Sequence, residues 1–500
     1  MRLNRDRRTL SARRVVCGVA VTLAVYLQPG CGDTFGPDSG FQIVFSVEPG
    51  SSPAGAALAP VVVAIQDASG GTAESASIPV TLALGANPGG GTLTGAQTVD
   101  AVDGVATFTD LSIDEPGSGY TLVASAGALP DVTSETFDIL FVSPLTVGVV
   151  HACTVTSADG AYCWGYNNNG QLGDGTTANR ATPVAVAGDL TFASLEGGVD
   201  HTCGLTPAGE ALCWGRNNLG ELGDSTTVRR LEPVPVAGGH TFVAVDAGWD
   251  HTCAVSRTTR DVYCWGYNAA GQLGDATTRN ASVPVVTFAA SILDFASVAA
   301  GGRHSCALGS DGAAYCWGLN GSGQLGDGTR IQRFFPTAVS GGHTFQSLAV
   351  NNDPSWESTC GVTREHAAYC WGLNNYGQLG DGTTGGDATE PMPVFGGLAF
   401  TSVSAGRDHS CGVTTEGDAY CWGRNEYGQL GNGLAGGDQG RNTPTLVIGD
   451  HTFRYVGAGQ SFSCGITLDE GIYCWGRNHY GQLGDGTTTN SSEPVSVTIP

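Results

Sequence analysis

Lysine does not occur in this 500-residue chain: all 22 basic residues are arginine, and six of them precede residue 15. Without lysine, no glycine-rich loop here can be the phosphate cradle that needs one. Once residues 1–30 are set aside, 16 basic residues face 45 acidic ones, a net charge of −29. Binding to phosphate backbones depends on Lys and Arg displacing counterions, so nucleic acid is a poor candidate partner. Long apolar runs are equally scarce. The stretch Val15–Leu27 has thirteen residues, too few for the roughly 20 that a membrane-spanning helix needs. Cysteine is missing between Cys31 and Cys153 although the chain has 16, so a domain in that interval must stand on packing alone.

What is present at the start is an address. Arg2, Arg5, Arg7, Arg8, Arg13 and Arg14 followed by the short apolar run have the form of a positive n-region and an h-region. The run ends Leu27-Gln28-Pro29-Gly30-Cys31, which resembles the lipobox of bacterial lipoproteins, although Gln28 stands where that family usually has Leu. The resemblance implies a signal peptide at 1–30, lipidation of Cys31 and a tether at 31–39. Membrane attachment would then be by the lipid anchor only, at the cell envelope or outside the cell.

Residues 40–140 alternate apolar and polar side chains, as in Phe41–Val47, Val61–Ile65, Val80–Leu84, Val105–Phe108 and Tyr120–Ala124, with Gly, Pro, Asn and Asp between the runs. That pattern predicts a small all-β sandwich. The stretch Gly104–Asp114 followed by Gly119-Tyr120-Thr121-Leu122 resembles bacterial immunoglobulin-like domains, whose usual role is that of a spacer.

From residue 141 to 500 one sentence is written seven times: His-x-Cys, then about nine residues, then Cys-Trp-Gly-x-Asn-x-x-Gly-Gln-Leu-Gly-Asp-Gly-Thr-Thr, then a Pro-Val run. Its period of roughly 50 residues is near that of a propeller blade. Glycine, 77 of 500 residues, is about twice its usual ~7%, and the excess sits at fixed offsets, which marks turns. The residues between the two Cys of a copy predict a hairpin, and folding it at its midpoint sets the two Cys opposite each other. Opposed Cβ atoms lie roughly 4.5–5.5 Å apart, close to what a disulfide needs. The expected pairs are Cys153–Cys163, Cys203–Cys213, Cys253–Cys264, Cys306–Cys316, Cys360–Cys370, Cys411–Cys421 and Cys464–Cys474, which suits an oxidising compartment. Metal binding is the competing reading, because His151, His201, His251, His304 and His409 stand two residues before a Cys. Zinc favours closer Cys pairs, and Ser358 and Phe462 replace the His in copies five and seven. No metal and no cofactor is therefore expected, and the His is read as packing its blade.

Trp-Gly-x-Asn-x-x-Gly-Gln-Leu-Gly-Asp-Gly with the following Pro-Val strand resembles the repeat of the regulator of chromosome condensation family, and the resemblance covers about 72% of the chain. It implies an all-β fold, a seven-bladed β-propeller with four strands per blade around a channel. Together with the preceding immunoglobulin-like sandwich this sets the expected fold class. Phe141–Gly148 is expected to complete a blade with the last strand, Pro494–Val497, closing the ring. The family's founding activity is guanine-nucleotide exchange, which export, disulfides and the acidic charge oppose. Before Gly-Gln-Leu-Gly the copies carry Asn169, Leu219, Ala270, Ser322, Tyr376, Tyr427 and Tyr480. Arg424 and Arg477 follow the Trp-Gly of copies six and seven, Trp249 and Trp356 precede the first Cys of copies three and five, and Arg333-Phe334-Phe335 interrupts copy four. Tyr, Trp and Arg are enriched at interface hot spots. These residues are the candidate face for an unknown protein or glycan. The expected function is a monomeric, non-enzymatic binding scaffold; the alternative is an exported enzyme working in the channel.

Overall fold

The computed structural model describes residues 40–500 apart from 51, 56, 116, 141–143, 157–159 and 289–292. The expected signal peptide, lipidated Cys31 and tether lie outside the described residues.

Seven four-stranded antiparallel sheets follow one another, each from a contiguous stretch of chain. Blade one comprises Leu145–Val147, His151–Val155, Ala161–Gly165 and Arg180–Ala185, and blade seven Phe453–Ala458, Phe462–Thr467, Ile472–Gly476 and Ser491–Val497. In each, the first strand lines a central channel and the last, with the Pro-Val run, is the outer edge. The middle hairpin puts the two Cys directly opposite each other in every blade, and all seven expected pairs are bonded, with Cα separations of 4.0–4.1 Å. In blade three the extra residue is absorbed at the hairpin tip, where Arg260 takes φ +57°, so the Cys register is kept.

The motif's glycines and tryptophan join neighbouring blades. After Trp, the chain turns at a Gly with φ between +98° and +106°, a region that L side chains avoid, and the loop it starts reaches the next blade. The second Gly of Gly-Gln-Leu-Gly lies flat on the next blade's indole: a Cβ there would come within 2.6–2.8 Å of its Nε1. Each of the seven motif indoles is fully buried, and its N–H donates to the backbone carbonyl of the preceding loop's Gln, or Glu221 in blade two, at 2.9–3.1 Å.

The same bond closes the ring, because Trp164 donates to Gln482 O across 318 residues. The expected shared blade is thereby corrected. Leu145–Val147 pairs with its own blade's His151–Val155, and the first and last blades meet face to face, as other neighbours do. A loop-to-indole contact repeated at each boundary makes strand exchange unnecessary.

The five histidines have a structural task. Each donates from Nε2, at 2.8–2.9 Å, to a Thr or Ser hydroxyl of the next blade. That hydroxyl spends its single proton on the same Gln or Glu carbonyl the indole uses, at 2.7–2.9 Å, so the imidazole must carry its proton on Nε2. Where blade seven has Phe462, blade one answers with Ala152 in place of the hydroxyl, and the two share an apolar cluster.

Burial lowers the imidazole of His151 to about 4 and those of His201, His251 and His304 to about 3. Below pH 6.5 the unfolded chain therefore binds protons that the folded one refuses. Stability is fully present above that pH and falls as pH drops towards 3–4, by up to about 1.4 kcal/mol per pH unit for each His. Burial also raises carboxyl groups, Glu357 to about 8, Asp246 to about 6 and Glu196 well above the usual range; these act in the opposite sense, so the histidine contribution is read as a difference between variant and wild type. In urea unfolding at pH 6.5, 5.5 and 4.5, His201→Gln is expected to lose less stability than wild type as pH falls, by up to about 1.4 kcal/mol per pH unit. An unchanged slope in that variant would refute the assignment.

Residues 40–140 form β-sheets over a separate core that includes Val61, Val63, Ile65, Leu82, Phe108, Ile113, Tyr120 and Leu122. Strands Ser52–Pro53 and Phe137–Leu140 lie against the innermost strands of blades three, four and five, so this domain sits over one mouth of the channel.

Candidate functional site

On the other face, the loops after the third strands are held from beneath. In blade five Asn374 accepts from Leu379 N through Oδ1 at 3.2 Å and donates from Nδ2 to Thr383 Oγ1 at 3.0 Å. Gln378, Gln429 and Gln482 each accept from the backbone N–H of the Tyr two residues earlier, at 2.9 Å. These Asn and Gln side chains are buried, so the backbone beneath Tyr376, Tyr427 and Tyr480 is fixed while the rings stand half-exposed.

The rings and guanidinium groups interleave along the rim. Arg407 lies over Trp356 at 5.7 Å, Trp356 is 5.3 Å from Tyr376, and Arg424 lies 4.9 Å over Tyr376. Arg477 then bridges Tyr427 at 5.4 Å and Tyr480 at 5.8 Å, and Tyr480 meets Tyr166 of blade one at 4.8 Å. Asp353 holds Arg407 at 3.2 Å and Asp408 holds Arg424 at 3.1 Å. Cation–π contacts of this kind contribute about 0.5–1 kcal/mol each at exposed sites. The result is a pre-set aromatic and basic arc from blade five to blade one.

Six of the seven candidate face residues, Tyr376, Tyr427, Tyr480, Arg424, Arg477 and Trp356, belong to this arc. Trp249 does not: it occupies blade three's short connection, residues 248–250, and no ring contact links it to the others among the described residues. Trp356 reaches Tyr376 because blade five's connection is longer, 351–357. Arg333-Phe334-Phe335 does not interrupt blade four but forms part of its outer strand. There Arg333 pairs with Asp327 at 2.6 Å and Phe335 lies 6.2 Å from Phe288. Sequence reasoning missed Tyr166 and Arg407. Tyr166 stands at the repeat position of Arg424, so aligning all seven copies there would have found it.

The channel holds a second cluster. At one position of the innermost strands the blades present, in order, Thr146, Glu196, Asp246, Ala299, Ala349, Ser404 and Gly457. Val147 of blade one packs into the space that Gly457 leaves, with the Tyr455 ring beside it, and Tyr455 shares a hydrogen bond with Ser404. Burial and the nearby Asp246 charge push the Glu196 carboxyl well above the usual range, and burial pushes Asp246 up to about 6. The copies thus differ also at carboxyl-bearing positions beside the channel. These groups line a cavity of about 570 Å³.

Seven pinned blades around a channel, with an aromatic and basic rim, define the class: a seven-bladed β-propeller. Residues 131–451 match the model of the RCC1-like domain, and 453–482 and 469–500 match the regulator of chromosome condensation (RCC1) repeat. The chain belongs to the RCC1-like domain family. It is 32% identical over 243 residues to the ultraviolet-B receptor UVR8 of Arabidopsis thaliana, covering 47% of this chain and 53% of the receptor. It is 31% identical over 243 residues to the human E3 ubiquitin-protein ligase HERC2, covering 47% of this chain and 5% of the ligase. The chain thus spans about half the length, or far less, of these curated relatives. Among solved structures, Prp20p of Saccharomyces cerevisiae superposes with a TM-score of 0.61 at 23% identity, over 72% of this chain and 87% of that one; the likeness is one of fold.

Proposed function

We propose that the chain is an exported scaffold, lipid-anchored through Cys31 at the bacterial envelope, that grips a partner protein with its aromatic and basic rim. Residues 40–140 serve as an immunoglobulin-like spacer between anchor and propeller. The observation that carries this reading is two runs of ring and guanidinium contacts that adjoin in blade six, Arg407–Trp356–Tyr376–Arg424 and Tyr427–Arg477–Tyr480–Tyr166, built on buried Asn and Gln supports. Half-exposed Tyr, Trp and Arg on a rigid backbone lose little entropy on binding, the quality that marks interface hot spots. Seven disulfides support an oxidising compartment, and a net charge of −29 on the mature chain supports solubility and opposes a nucleic-acid partner. The scaffold is read as a monomer without catalytic activity.

The test is crosslinking capture from cell envelopes with the intact chain and with Tyr376→Ala, Tyr427→Ala and Tyr480→Ala combined. The partner recovered by the intact chain is expected to bind the triple variant at least about 100-fold more weakly, since loss of hot-spot side chains costs about 2 kcal/mol or more each. Unchanged capture removes the rim from consideration. Recovery of a polysaccharide alone would replace the protein partner with a glycan.

A further inference from the structure

The rim leaves unexplained the chamber inside the ring. It measures about 570 Å³, within the roughly 300–1,000 Å³ of ordinary small-molecule sites. Glu115, Gly117 and Ile139 of the first domain border it on one side. At the opposite mouth Asn352, from blade five's longer connection, donates across the channel to Ala247 O of blade three at 3.4 Å.

The chamber is two-sided. Thr146, Glu196, Asp246, Ser404 and Tyr455 make one polar arc, while Ala299, Leu348 and Ala349 make an apolar wall. Glu196 Oε2 takes only a 3.4 Å contact from Thr146 Oγ1, whose own oxygen already accepts from Gly197 N at 3.0 Å. Asp246 accepts two backbone N–H groups at 2.8 Å, from Ala247 and Ala300. Neither carboxylate has an arginine or histidine within ion-pair distance among the described residues. An independent sign of a missing partner comes from Ser402. It lines the same chamber on the strand side shared with Ser404, is 8% exposed, and its hydroxyl has no hydrogen-bond partner.

Two carboxyl groups that share one cavity without a basic partner disfavour each other's charge, and a cation between them relieves this. A metal ion is the weaker fit: hard cations take about six to eight oxygens, several of them carboxylate, and no third His, Cys, Asp or Glu joins the pair among the described residues. An ammonium or guanidinium group on a short aliphatic chain fits both sides, its charge and N–H donors meeting Glu196, Asp246 and the hydroxyls while its methylenes lie on the alanine wall. We propose that the propeller channel is a binding site for a small organic cation, an alkyl amine or alkyl guanidine, held by Glu196 and Asp246 with Tyr455, Ser404 and Ser402. The strongly acidic chain raises the local concentration of such a ligand. This site is separate from the rim and does not rest on the rim's function.

Titration calorimetry of the full mature chain with agmatine and with putrescine at pH 8, with 1,4-butanediol as neutral control, tests it. Saturable one-to-one binding of at least one cation and none of the diol is expected. Glu196→Gln with Asp246→Asn is expected to weaken binding at least about tenfold, which corresponds to about 1.4 kcal/mol. Glu196→Gln keeps an oxygen for Thr146, whereas Asp246→Asn sets its NH2 against one of two backbone N–H donors, so circular dichroism will verify the fold and Glu196→Gln alone, also expected to weaken binding, serves as the milder variant. Asp100→Asn with Asp103→Asn, on the exposed surface of the first domain, is expected to change nothing, and the triple tyrosine variant likewise.

Affinity is also expected to fall from pH 8 to pH 5 as protons return to Asp246 and Glu196. The other titratable groups bordering the chamber are Tyr455 within it and Glu115, His366, Glu416 and Arg454 at its edge. Failure of both cations to saturate, equal weakening by the surface pair, or full affinity in the Glu196 and Asp246 variant would each overturn the site.

Discussion

Trp164→Ala is expected to cost about 3–5 kcal/mol, the usual range for emptying a fully buried tryptophan, and to make unfolding less cooperative. Trp164 is fully buried among Cys464, Cys474, Leu483 and Val497 of blade seven, and its N–H holds Gln482 O at 3.1 Å. The same substitution at Trp317 removes the same kind of contact with blade three, through Gln272 O at 2.9 Å, but there the chain runs directly from one blade to the next. Only Trp164 sits where the first and last blades meet without a covalent connection between them. In an array whose units contact only their neighbours, cooperativity depends on each interface, and a ring cut at its seam becomes an open array with two exposed blade faces. Urea titrations followed by circular dichroism should show both variants destabilised, and a shallower transition for Trp164→Ala alone. A Trp164→Ala protein within about 1 kcal/mol of wild type would mean that the ring is closed by other contacts.

The second large effect concerns the disulfides. Each closes a loop with a sequence separation of 10 or 11, for which the chain-entropy relation gives about 3 kcal/mol. Taken together the seven bridges supply roughly 20 kcal/mol, more than the 5–15 kcal/mol by which a domain is ordinarily stable. All fourteen sulfurs are also fully buried, so a thiolate cannot attack them while the blades are intact. The native chain should therefore survive excess dithiothreitol at neutral pH with its spectrum unchanged. The same reagent in concentrated urea should reduce every bridge, and removal of urea under reductant should fail to restore the sheet spectrum. A reduced chain that refolds to the native spectrum would show that packing alone carries the propeller.

How much of this could be seen beforehand depended on sequence distance. The Cys pairs were legible because each lies within one hairpin, where strand register follows from the tip. The rim was largely legible because Tyr376, Tyr427 and Tyr480 share one offset in a motif whose other positions are held by packing. Tyr166 was passed over because its neighbour in space, Tyr480, is at the far end of the chain. Glu196 and Asp246 were illegible for a different reason: the innermost strands repeat Phe-x-x-Val/Leu-x-x-Gly, which aligns the two positions, but spacing alone does not say that the residue after the Val or Leu borders the channel. Ring closure was misjudged because a shared blade and a face-to-face seam require the same strands and differ only in which edge Leu145–Val147 finds.

The amino-acid order by itself determined the blade, its count, its disulfide and the acidic, lysine-free surface, because all of these arise from local spacing and composition. Tertiary structure alone decided which residues of different blades face each other: the Trp164 to Gln482 seam, the matched Phe462 and Ala152, the stacked rim and the carboxylates of the channel. The physical reason is that a ring converts a fixed position in a repeat of about fifty residues into direct neighbourhood, and that conversion exists only once the ring has closed.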